Sequence, residues 1–199
     1  LAESGLFSAT ALMMGWIGTV ELAAHGITME VAALSFMVHL GLSNAATVRA
    51  GRADGAGDVQ GLRDGAKVAI ALSLLFGLSM VALFLTLPEP IIALFLDETK
   101  PRSGEIIAFG VKLLAMAALF QLADAMQVMA LGLLRAIKDT RVPMLAAAFS
   151  YWGIGIPSGY FLAFNAGLGG VGLWFGLVIG LLFAAVTMMW RFWHKAARV

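Results

Sequence analysis

The sequence predicts an all-α membrane protein built as a bundle of six transmembrane helices, and three observations carry that prediction. Of 199 residues, 61% are hydrophobic, and only 13 are basic and 12 acidic; the mean hydropathy is +0.92. Soluble domains are typically about 45–50% apolar and about 25% charged, so this excess points to a bilayer as the solvent. The apolar residues also come in stretches of the length a helix needs to cross a hydrocarbon core of about 30 Å. The short alternating segments of a membrane barrel are absent. Lastly, Lys and Arg gather in alternate connections, as they do in proteins threaded through a membrane.

The first helix covers about 1–23. It is apolar from Leu1 onward without the basic flank and cleavage site of a signal peptide, which predicts a fragment of a longer chain. A tight turn around His25 leads to the second, about 27–48. The third, 68–87, is stopped by Pro88 and Pro90, and the fourth covers 106–134. In the fifth, 142–164, Gly153, Gly155 and Gly159 cluster around Pro157; a proline has no amide donor, so a kink is expected there. The sixth, 168–190, carries Gly172, Gly176, Gly180 and Ala184, a ridge of small residues that lets another helix approach closely.

Ten basic residues lie on one side: Arg49, Arg52, Arg63 and Lys67, then Arg135, Lys138 and Arg141, then Arg191, Lys195 and Arg198. The other side has Lys100 and Arg102. The positive-inside bias therefore places both termini in the cytoplasm, and an even number of spans requires them to share a side.

Composition also excludes functions. A net charge of +1 without a basic cluster gives no footprint for nucleic acid. The absence of cysteine removes thiolate metal sites and thiol nucleophiles, and no cofactor is implied. Gly41-Leu42-Ser43 is similar to an intramembrane serine-protease motif, but the only later histidine is His194 in the tail, so the serine lacks a base on another helix. His39 is expected to be a satisfied polar residue in helix packing, and His25 and Glu30 to be solvated at the outer end. The run Asp54-Gly55-Ala56-Gly57-Asp58 resembles part of a calcium loop, yet Gly65 stands where the bidentate Glu belongs. With no cofactor, no metal cluster and no paired acids, an enzyme is not expected.

Asp124 is the most informative residue. It is the only charge between Lys112 and Arg135, which places it near the bilayer midplane. A charge at that depth is unfavourable by about 2.5–3.5 kcal/mol on insertion scales, so it is expected to face the bundle interior, a water-filled cavity or a cation. Phe120, Gln121 and Gln127, four before, three before and three after, are expected on its helix face as possible cavity-lining residues. Glu3 is the second candidate acid: it lies within the membrane if the first helix begins upstream of Leu1, and at the interface if it begins there.

The run from Phe36 to Gly51, the segment Gln121-Leu122-Ala123-Asp124-Ala125-Met126-Gln127, the run from Gly132 to Pro143 and the stretch from Gly169 to Leu177 resemble signatures of the multidrug and toxic compound extrusion (MATE) transporters. The resemblance extends over essentially the whole chain, in order, and includes charged and glycine positions. It implies one lobe, the C-terminal one, of a twelve-helix, two-lobe antiporter of the cell membrane, a bacterial inner membrane, with an N-terminal six-helix lobe and membrane lipid as partners. It implies export of cationic or amphipathic compounds in exchange for sodium or protons, with Glu3 and Asp124 as the cation-coupling acids and a possible sodium site there. Two positions depart from the pattern: Phe120 stands where some sodium-coupled members have a tyrosine, and His39 where a proline is frequent. The other readings are a lipid-linked oligosaccharide flippase of the same superfamily, which would need cationic residues in its cavity, and a half-domain inactive alone.

Overall fold

The computed structural model describes residues 2–97, 99 and 101–196, with side chains from Ser4 onward. The described residues form helices joined by short connections, with no strand among them. In order these are α1 (Ala2–Ile17), α2 (Thr19–Gly55), α3 (Val59–Thr86), α4 (Pro88–Ala93), α5 (Ser103–Ala136), α6 (Arg141–Phe149), α7 (Ile156–Tyr160) and α8 (Gly169–Ala196). Four of them, α2, α3, α5 and α8, are long and apolar enough to cross a membrane, and α1 is a shorter apolar helix. The fifth span is α6 and α7 together with the π-helical stretches that follow each, Ser150–Gly155 and Phe161–Asn165.

The helices run past the apolar stretches that announced them. α2 continues to Gly55, α3 already begins at Val59, and α8 reaches Ala196, because hydropathy marks only the lipid-facing part of a helix that goes on into water. The first break also moves. It falls at Gly18, not around His25: Gly18 is extended (φ 172°, ψ 166°), and a Cβ there would sit 2.2 Å from Glu21 Oε2. At the α2–α3 turn Gly57 adopts φ +68°, and the Gly61 amide donates to Asp58 Oδ1 at 2.8 Å. The supposed calcium-loop run is thus a turn and an N-cap. Pro88 opens α4, an element the sequence reading omitted, at a first-turn position where a missing N–H costs nothing.

α5 is the central helix, packed against α2, α3, α4 and α8. Small residues and hydroxyls bring α2 against it: a Cβ on Gly132 would lie 2.2 Å from Ser43 Oγ, while Ser43 and Thr47 donate to the Val128 and Gly132 carbonyls at 2.8 and 3.0 Å. The glycine ridge of α8 meets the fifth span backbone to backbone. A Cβ on Gly176 would lie 2.2 Å from Gly159 Cα, and one on Gly180 would lie 2.9 Å from Gly155 Cα. Around Pro157 the span widens into π geometry on both sides rather than breaking, a common adjustment to a lost amide donor in a membrane helix. Large apolar side chains such as Leu34, Met37, Leu75, Phe149 and Trp190 point outward, as a lipid-facing surface requires.

At the basic end, Asp139 in the α5–α6 connection is shielded and accepts from two cations of α8, Arg191 at 2.6 Å and Lys195 at 2.9 Å. Arg63 of α3 donates to the Ala196 carbonyl at 3.1 Å, so the last turn of α8 is tied to two other elements. Burial works against the Asp139 charge, yet the hydrogen bonds from Arg191 and Lys195 hold its carboxyl below the usual carboxylate range.

Two outcomes follow from this packing. Gly176→Ala forces two backbones apart and should lower stability by about 1–3 kcal/mol, read as a fall in the unfolding midpoint in lipid nanodiscs; Gly41→Ala, with nothing within 4 Å of its Cβ, should leave that midpoint unchanged. Because the folded-state pKa of Asp139 is depressed, its contribution is present above the ordinary value of 3.8 and is lost as pH falls through the folded value. The midpoint difference between wild type and Asp139→Asn should therefore be full at pH 7 and shrink in strong acid.

Candidate functional site

Asp124 is only 5% exposed and lines a cavity of about 180 Å³ with Phe7 of α1, Met29, Ala32, Ala33 and Phe36 of α2, and Phe120 of α5. The carboxylate is thus set into an apolar and aromatic wall where three helices meet, and it brings the only side-chain oxygen in that lining set. A charge in such surroundings interacts with a cation far more strongly than it would in water. The aromatic faces add an attraction for cations, and for lipophilic ones an apolar contact as well.

The helix geometry sorts the residues expected beside Asp124. At about 100° per residue, Phe120 lies about 40° from Asp124 around the axis, whereas Gln121 and Gln127 lie about 60° to either side. Phe120 shares the cavity; Gln121 lies on the other side of Asp124, and Gln127, only about 20° from Phe120 around the axis, lies about two turns further along, so both glutamines are absent from the lining and are used in packing. Gln121 Nε2 donates to the Gly77 carbonyl of α3 at 3.0 Å, and Gln127 Nε2 donates to the Tyr151 hydroxyl of the fifth span. Glu3 belongs to the first turn of α1; its side chain lies outside the described residues.

Phe120 is held by a chain of aromatic contacts that the sequence reading missed. Its ring meets Phe7 edge-on at 6.0 Å and Trp174 of α8 edge-on at 5.5 Å. Trp174 in turn donates its indole N–H to His25 Nδ1 at 3.2 Å. His25 is buried, not solvated as its assignment to a turn suggested, because α2 begins well before it. The acceptor role of Nδ1 puts the imidazole proton on Nε2, which leaves the ring neutral. The signal for this contact was in the sequence all the same, since a tryptophan inside an apolar span needs an acceptor for its N–H when it is buried.

Comparison with known proteins places this arrangement. The MatE family model matches residues 1–161. The chain is 44% identical over 199 residues to the probable multidrug resistance protein NorM of Rhizobium meliloti (strain 1021), covering 100% of this chain and 43% of that one. It is 47% identical over 196 residues to the multidrug resistance protein NorM of Burkholderia vietnamiensis, covering 98% and 42%. The chain therefore spans less than half the length of these curated relatives. Among solved structures, a MATE crystal structure in complex with MaL6 superposes with a TM-score of 0.86 at 18% identity, over 99% of this chain and 44% of that one. The outward-facing conformation of a multidrug resistance MATE family transporter of the MOP superfamily also gives 0.86, at 19% identity, over 98% and 42%.

The support of Phe120 can be tested through its outermost link. His25→Leu strands the buried Trp174 N–H and should cost about 1–3 kcal/mol, seen as a lower unfolding midpoint, whereas His25→Gln keeps an acceptor and should recover part of the loss.

Proposed function

The chain belongs to the MatE family, and from that premise we propose that it is the C-terminal six-helix lobe of a secondary active antiporter that exports cationic or amphipathic compounds in exchange for sodium or protons. The observation that carries this reading is the placement of Asp124: the one charge between Lys112 and Arg135 on α5, buried in the aromatic wall of a cavity formed by α1, α2 and α5. Glu3, four positions before the cavity-lining Phe7 on α1, is the second coupling acid. The names of the relatives, multidrug resistance proteins of bacteria, support both the activity and a bacterial cell membrane. The charge bias supports a cytoplasmic basic end.

The chemistry follows from competition for a single charge. A cation bound at Asp124, or a proton on it, cancels the attraction that would hold a cationic compound against Phe7, Phe36 and Phe120. Ion and exported compound then cannot occupy the wall together, and rocking of two lobes about the cleft turns exclusion into exchange. The wall has half the character of a drug site: its volume, about 180 Å³, is below the roughly 300–1,000 Å³ typical of complete ligand pockets, and the N-terminal lobe supplies the facing half. A proton needs nothing further from the wall, whereas sodium would draw its other oxygens from Glu3, from backbone carbonyls or from the second lobe.

In vesicles containing the transporter that carries this lobe, Asp124→Asn should reduce ion-driven efflux of a cationic dye to the level of protein-free vesicles, with expression and unfolding midpoint unchanged. Efflux at the wild-type rate would overturn the assignment.

A further inference from the structure

A second polar cluster lies at the junction of α2, α3 and α5, away from the cavity wall. His39 of α2 is fully buried, and its Nδ1 lies 2.9 Å from Ser73 Oγ of α3. Its Nε2 makes no hydrogen bond with the protein. Gln121 of α5, 2% exposed, gives its amide nitrogen to the Gly77 carbonyl, and its Oε1 likewise makes no hydrogen bond with the protein. Gly77 joins the two: a Cβ there would lie 3.6 Å from His39 Cε1 and 3.9 Å from His39 Nε2, and the carbonyl of the same residue holds Gln121.

The proton positions follow from the partners. A carbonyl only accepts, so the Gln121 atom facing Gly77 is the NH₂ group and the remaining atom is an acceptor. With the Ser73 hydroxyl donating to His39 Nδ1, its hydrogen-bond partner among the described residues, that hydroxyl proton is satisfied and the imidazole carries its own on Nε2. The cluster therefore presents one buried donor, the His39 Nε2–H, and one buried acceptor, Gln121 Oε1, on two side chains that both border Gly77 of α3. Buried polar groups left this way are costly, and a water with two or more polar partners is the usual means of satisfying them.

We infer that His39, Ser73 and Gln121 form a binding site for a single water molecule inside the membrane, which accepts from His39 Nε2–H and donates to Gln121 Oε1 beside Gly77. Gln121 is three residues from Asp124 on α5, so the water sits about one helical turn from the carboxylate, on the far side of α5's polar strip from Tyr151. The site stands independently of the transport reading, because it rests on hydrogen-bond geometry alone.

The test is solid-state NMR of the whole chain labelled with nitrogen-15 histidine in lipid nanodiscs, with the His39 signal assigned by its loss in His39→Gln. The expected spectrum shows a neutral ring protonated at Nε2 and a cross-peak from that proton to a bound water. Gln121→Leu, which removes the acceptor, and Gly77→Ala, whose Cβ would lie 3.0 Å from Leu122 Cδ2 and 3.9 Å from His39 Nε2 and so crowd the space beside the ring, should each abolish the water cross-peak. A ring protonated at Nδ1, an Nε2–H without water contact, or a cross-peak that survives both substitutions would overturn the proposal. The wild-type spectrum decides the matter even if a variant fails to fold.

Discussion

A carboxylate in the middle of an apolar helix must be surrounded by protein, because the bilayer core offers it neither water nor counter-charge. Here that helix is α5, 34 residues long with Asp124 buried within it, and the rest of the lobe is arranged around it. α2, α3, α4 and α8 pack on its sides, and α1 and α2 complete the wall of the cavity that Asp124 lines. Lipid is as apolar as the side chains that face it, so hydrophobicity alone gives no reason for helices to associate there. Close approach and internal hydrogen bonds must supply it. Gly132 lets the Ser43 and Thr47 hydroxyls reach carbonyls of α5, and the glycine ridge of α8 lets two backbones touch.

The same constraint explains how the aromatic wall is held. In an apolar interior a buried indole must spend its one N–H on a partner, and Trp174 spends it on His25. The pair fixes Trp174 against Phe120, and Phe120 against Phe7. The ring beside the carboxylate is thus positioned from α1 by Phe7, which lines the same cavity, and from α8 and α2 by the Trp174–His25 pair outside that lining. At the basic end Asp139 performs a related service with charges, gathering Arg191 and Lys195 and so joining the last helix to the α5–α6 connection.

Much of this was legible in the sequence because the signals are sparse in a membrane protein and each one stands out. The apolar stretches announced the spans, the spacing of Gly172, Gly176 and Gly180 announced a close helix contact, and the isolation of Asp124 announced a carboxylate turned into the protein. What escaped was whatever depends on which neighbour a side chain meets. His25 stands between the first two apolar stretches, where a turn was expected, but the chain breaks at Gly18 and carries His25 inward. Gln121 and Gln127 share a turn with Asp124 yet diverge to opposite flanks, one to Gly77 and one to Tyr151. His39 was expected to be fully satisfied in packing, but only its Nδ1 finds a protein partner. Helix ends were misjudged wherever polar residues continue a helix into water, as at Arg49–Gly55.

The proposed exchange requires one buried carboxylate to serve the coupling ion and the exported cation in turn. Equilibrium binding of a fluorescent lipophilic cation to the purified transporter, titrated against sodium and against acid, tests it directly. The apparent Kd should rise in proportion to the coupling ion, and Asp124→Asn should make it insensitive to that ion. A Kd that is independent of both ions in the wild-type protein would contradict it.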